Sequence, residues 1–168
     1  MKKLLMVALL AAVTAPLMAQ ANIGVVDIEG VIKKSAKGKA FFAELDAFKT
    51  EKKTNIENKI KAFREKQKDA QAKAASLSED KKQALAMELQ TMQTDIKRAQ
   101  EDAERDTQVK VQGGLEKITG ALEPLVRQVA LEKDLHLVLQ YGAQSGIVFF
   151  HEKIDITEDV IKKFDESN

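Results

Sequence analysis

Residues able to carry catalysis are few and scattered in this chain. His136 and His151 are its two histidines, and neither has Cys, His or carboxylate neighbours at the short spacings a zinc site needs. A strand-edge or surface role suits both better. Cysteine is absent, which removes thiol nucleophiles and redox pairs. Gly38-Lys39 has only the outline of a phosphate loop. That motif requires Gly at position 33 and Ser or Thr at position 40, where this chain has Lys33 and Ala40. No Gly-x-Ser-x-Gly elbow occurs. Glu101-Asp102 and Asp106 lie among helix-forming residues and read as solvated faces. The residues therefore imply no enzyme, no cofactor and no metal.

The elements that surround these residues are more informative. From Gly38 to Gly113 the intervening chain holds neither glycine nor proline and is rich in Lys, Glu, Gln and Ala, which favours one long helical element. Ser76-Leu77-Ser78-Glu79-Asp80 is the one interruption, with Ser78 placed to cap a new helix and Glu79 and Asp80 bringing negative charge to its first turn. The result is two arms of nearly equal length, each roughly 50–55 Å, as an antiparallel hairpin requires. In the second arm Leu85, Leu89, Met92, Ile96, Ala99 and Ala103 follow steps of four and three, a heptad seam. Phe41, Leu45 and Phe48, then Ile56, Ile60, Phe63, Ala70, Ala74 and Leu77, answer it from the first arm. Toward the far end the seam is lean in large side chains, and lean seams bury little area. A second seam, Leu115, Ile118, Leu122, Leu125 and Val129, starts in a different phase, with Thr107, Val111 and Gly113-Gly114 carrying the shift. Glycines inside a helix cost about 1 kcal/mol each relative to alanine, so the pair reads either as a hinge or as a close helix contact.

Both ends of the chain differ from its middle. Lys2 and Lys3 precede the apolar run Leu4 to Val13, and Ala19-Gln20-Ala21 has the small-x-small pattern of a cleavage site. Residues 1–21 are expected to be a cleaved signal peptide, leaving Asn22 as the mature terminus of a soluble, exported protein. Ile23 to Ile28, including Val25, Val26 and Ile28, reads as a short buried strand. His136 to Tyr141, with Val138 and Leu139, reads as a second, and Ile147 to Phe150, with Val148, as a third beyond the turn Gly142 to Gly146. Thr157 is placed to cap a last helix containing Val160, Ile161 and Phe164. The expected class is α+β and predominantly α. A discontinuous body, residues 22–45 and 110–168, carries a helical coiled-coil hairpin arm, residues 46–109. A body this small is marginal for a self-sufficient core, and strands with exposed apolar edges pair readily, so a homo-oligomer joined through the strands is expected.

Overall charge names no partner: without Lys2 and Lys3 the 27 basic residues become 25, against 26 acidic. Its distribution is uneven. Residues 49–98 hold 13 basic and 8 acidic side chains, whereas residues 134–168 are acid-rich. Solvated faces with i,i+4 ion pairs account for this, as does attraction of acidic clients or phosphate-bearing headgroups.

The order Val25-Val26-Asp27-Ile28, Ser35-Ala36-Lys37-Gly38-Lys39, the long Lys/Gln/Glu hairpin, Val129-Ala130 with Leu135 to Leu139, and Asp155 to Lys162 resembles the Skp (OmpH) family of periplasmic chaperones. It covers nearly all the mature chain. The resemblance implies a homotrimer whose three helical tentacles enclose a cavity, and ATP-independent holding of unfolded outer-membrane proteins before their assembly. It also implies transient contact with anionic lipid or lipopolysaccharide. No nucleic-acid partner is expected. For such a role Leu77, near the tip, and Met87, off the seam, are the candidate client-facing residues. A structural coiled-coil spacer of the envelope and a membrane-surface module are the other classes that the long hairpin admits.

Overall fold

The computed structural model describes residues 21–167, so the expected signal peptide lies outside the described residues apart from Ala21. Strand β1 (Ile23–Val26) pairs in parallel with β2 (Leu137–Gln140), register Ile23 to Leu137 through Val26 to Gln140. Parallel neighbours need a long crossover. Here the crossover is the whole hairpin. Asp27 ends β1 and caps α1 (Ile28–Lys34), its Oδ1 accepting the Gly30 N–H at 2.9 Å. Ser35, fully buried, caps α2 (Ala36–Lys73), its Oγ accepting the Gly38 N–H at 3.1 Å. At Gly38 a Cβ would lie 1.6 Å from the carbonyl oxygen of Ile32. This close approach of α1 and α2 explains the glycine that the phosphate-loop pattern does not.

The two arm helices have 38 and 54 residues, α2 and α3 (Glu79–Glu132), and so are about 57 Å and 81 Å long. A single 3-10 turn, Ala74–Ser76, joins them. Because α3 is the longer, its last turns continue into the base. There Ile118, Leu122 and Val129 meet Val26, Val31 and Ile32, together with Val160, Ile161 and Phe164 of α4 (Thr157–Glu166). Pro124 removes the N–H that would bond the Gly120 carbonyl, yet α3 runs on because the anchored side chains on either side hold it. The base is closed by one polar chain of bonds. Asp155 accepts the Tyr141 hydroxyl at 3.0 Å and the Thr157 N–H at 2.9 Å, and Thr157 Oγ1 accepts the Asp27 N–H at 2.9 Å. Burial pushes the Tyr141 phenol up, and its bond to the Asp155 carboxylate acts in the same direction.

Four details depart from the sequence reading. Ile28 is the first residue of α1 rather than the end of β1, because the Asp27 side chain turns the backbone into a helix one residue earlier. Residues 147–150 form no strand in the single chain, and Val148 is 99% exposed. The turn holds Ser145 Oγ against the Gly142 N–H, and Phe150 comes back onto the Tyr141 ring at 4.6 Å instead of pairing with β2. Thr157 is the first residue of α4, which Ile156 precedes as cap, and the Thr157 N–H is satisfied by Asp155. Ser78 occupies the cap position of α3 but bonds through its carbonyl, to the Lys82 N–H at 3.0 Å, and not through its side chain.

Glycine positions separate contact from open space. Gly38→Ala should lower stability by about 1–3 kcal/mol, since the new methyl meets backbone that cannot yield. Gly120→Ala, where a Cβ meets nothing within 4 Å, should raise it by about 0.5–1 kcal/mol. Urea unfolding at fixed protein concentration checks both signs.

Candidate functional site

Among the described residues no group of three or more His, Cys, Asp or Glu side chains is gathered for a metal ion. The histidines have local duties. His136 holds the start of β1, its Nδ1 accepting the Asn22 N–H at 3.0 Å and its own N–H donating to the Asn22 carbonyl at 2.8 Å. His151 accepts the Lys153 N–H at 3.2 Å before a 3-10 turn. What the chain presents is surface of two kinds: a long, thinly packed hairpin and an apolar strand edge.

In the hairpin the expected seam is present. Leu85, Leu89, Met92, Ile96, Ala99 and Ala103 are each half-buried, as are Ile56, Ile60, Phe63 and Ala70 opposite, while Ala74 falls in the turn and is exposed. Between residues 46 and 109 no side chain is fully buried, whereas Leu45, just below, is. Full burial of a large apolar side chain is worth about 1.5–3 kcal/mol, so the root and base hold the arms together far more firmly than the seam does. The seam changes phase through Ala103, Thr107, Val111, Gly114 and Ile118, all at least half-buried. Two successive steps of four rotate it onto the base core.

Charged pairs across the arms supplement this packing. Lys52 reaches Asp106 at 2.7 Å, Lys66 reaches Glu88 at 2.7 Å, and Lys110 reaches Glu44 at 2.6 Å. Lys52 and Lys110 both also lie over the Phe48 ring, at 5.1 and 5.2 Å from its centroid. Asp106 is thus an inter-arm partner rather than a purely solvated acid. A reading limited to i,i+4 pairs misses it, although charges flanking a heptad seam are the usual signal. The bond from Lys52 holds the Asp106 carboxyl below its ordinary range, and Lys110 does the same for Glu44.

Leu77 is half-buried in the turn, and Met87, on α3 two turns onward, is 68% exposed. Val25 and Val26 are buried in β1, and Val138 packs toward the core. On the opposite face Leu137 and Leu139 are 48% and 40% exposed, and Ile23 is exposed beside them. Val148 stands apart from this sheet with Phe149, which is 84% exposed and which the strand pattern did not single out. The structure therefore gathers Val25, Val26, Val138 and Leu139 into one sheet, and leaves Ile28 and Val148 outside it. α3 is continuous through Gly113 and Gly114. At Gly114 a Cβ would lie 2.0 Å from the Phe41 ring, a close helix contact; at Gly113 it would meet nothing within 4 Å.

A small α/β base bearing a long antiparallel helical hairpin defines the class of this protein. The family described as outer membrane protein (OmpH-like) matches residues 22–164, and the chain belongs to that family, a non-enzymatic one. No curated protein matches it. Among solved structures, a Caulobacter crescentus CB15 protein described as an outer membrane chaperone (OmpH-like) superposes with a TM-score of 0.82 at 18% identity, covering 88% of this chain and 86% of that one. That likeness shows the shared fold.

The depressed Asp106 carboxyl has a definite pH consequence. Its contribution is fully present above the ordinary carboxylate range and is lost as pH falls through the lowered folded value. Asp106→Asn should therefore lower Tm at neutral pH, and the difference from the parent should shrink toward zero at strongly acid pH.

Proposed function

We propose that this protein is an ATP-independent periplasmic holdase for unfolded outer-membrane β-barrel proteins, acting as a homotrimer whose arms enclose the client. The observation that carries this reading is the absence of any fully buried side chain along residues 46–109, which leaves an arm able to yield around a client of no fixed shape. A β-barrel chain awaiting insertion exposes lipid-facing side chains and unpaired strand edges, and it aggregates when it meets another. Arms that surround it prevent that meeting. Weak contacts summed over three arms hold by multivalency and release without chemical energy. The leader expected at residues 1–21 supports export, and among the described residues no helix is long and apolar enough to cross a membrane.

Self-association accounts for the second surface. Leu137 and Leu139 make an apolar face beside the free edge of β2, and Val148 and Phe149 are exposed apolar side chains on the segment that follows, all of which a further copy would cover. The excess of basic over acidic side chains on the arms, 13 to 8 over residues 49–98, favours acidic clients and transient contact with anionic lipid or lipopolysaccharide, and salt should weaken both.

Light scattering tests the proposal. A urea-denatured β-barrel protein diluted into buffer without nucleotide should stay clear when the full mature chain is present. It should turn turbid with a form in which a short turn replaces residues 50–107. Protection by the shortened form would place the grip in the base and contradict the proposal. Leu139→Lys should lower the oligomer mass measured by sedimentation while leaving the helical circular dichroism in place; an unchanged mass would remove β2 from the interface.

A further inference from the structure

A groove of about 610 Å³ opens at the root of the hairpin, lined by the first turns of α2, residues 110–121 of α3 and the end of α4. Its size falls within the roughly 300–1,000 Å³ of small-ligand sites. Phe41, Ile118 and Phe164 supply apolar lining, and Lys37, Lys110 and Lys117 stand on it with Glu44 as the single acidic residue. Two of the three lysines are engaged. Lys37 donates to the Ser167 hydroxyl at 2.7 Å, and Lys110 pairs with Glu44. Lys117 makes no hydrogen bond or ion pair within the described residues and acts on Glu44 only through its charge, so its ammonium has room for a direct partner.

Gly113 lies on the same lining and has no packing reason to be glycine, because a Cβ there meets nothing within 4 Å. A mid-helix glycine costs about 0.5–1 kcal/mol relative to alanine. What its missing side chain provides at this position is open space in the groove. The polar character of the groove then selects among occupants. Its helix backbones satisfy their own hydrogen bonds, leaving chiefly the lysines to meet a ligand. A peptide segment would bring amide groups with few partners, which is unfavourable; an unbranched acyl chain brings none. The charge balance favours a single anionic head.

We propose that this groove binds a single-chain fatty acid, with Lys117 taking the carboxylate and bare Gly113 admitting the acyl chain. The site is separate from the holding of clients by the outer arms, and it does not depend on that reading.

Calorimetric titration of the full mature protein with dodecanoate, below its micelle concentration, should show one saturable site per protomer. Dodecyltrimethylammonium, with the same chain and the opposite charge, should not bind saturably. Lys117→Gln should weaken dodecanoate by about five-fold, the scale of one exposed charge pair. Gly113→Leu should abolish binding with the helical signal intact, and Gly113→Ala should retain it. Ala121→Phe, on the same lining, repeats the obstruction away from the glycine should the leucine variant fail to fold. Saturable binding of the cation, undiminished binding by both obstructed variants, or no saturable dodecanoate site would each overturn the proposal. So would obstructed variants that lose client protection yet bind dodecanoate normally, since the occupant would then be a client segment.

Discussion

The hairpin is secured at one end only, and the rest of the molecule depends on that constraint. Ile118, Leu122 and Val129 extend α3 beyond its partner and into a core shared with β1, α1 and α4. Leu45 is the last fully buried side chain on the way outward along α2. Above it the two helices keep contact through half-buried residues and exposed ion pairs, interactions individually worth little. A helix pair with a strong root and a thinly packed seam projects a long surface from the base.

The base meets this demand with limited material. Its two strands are joined by the entire hairpin, so the chain ends must be tied to each other for the root to close. His136 with Asn22, and Thr157 with Asp27, do this with hydrogen bonds in a protein that has no cysteine. Gly38 and Gly114 mark where backbone or ring comes too close for any side chain, at the α1–α2 corner and at Phe41. The sheet that results has one covered face and one apolar face. The base leaves Leu137, Leu139 and Phe149 to solvent, the surface that the proposed self-association would cover.

Most of this architecture was legible in the sequence because helical periodicity is a local signal. The seam residues from Leu85 to Ala103, the break near Ser76, and the shift in phase before Leu115 follow from spacing alone. The strands at either end were legible as apolar runs, but their pairing was not, since parallel partners more than a hundred residues apart leave no local mark. Ile147 to Phe150 looks like a strand by composition and is not one in the single chain, for a strand needs a partner as well as a propensity. Gly113 and Gly114 are identical in sequence terms and opposite in structure, one facing open space and the other a ring. Lys52 with Asp106 escaped for a related reason: inter-arm register sets that pair, and a single helix does not reveal it.

In the proposed holdase the arms, and not the base, hold the client. The most direct measurement places a photo-crosslinking residue at Leu77, at Met87 or at Leu131, an exposed site on the base, and irradiates each complex with an unfolded outer-membrane β-barrel protein. Client crosslinks are expected from the two arm positions and few from Leu131. Crosslinks concentrated at Leu131, with the arm positions silent, would contradict the proposal.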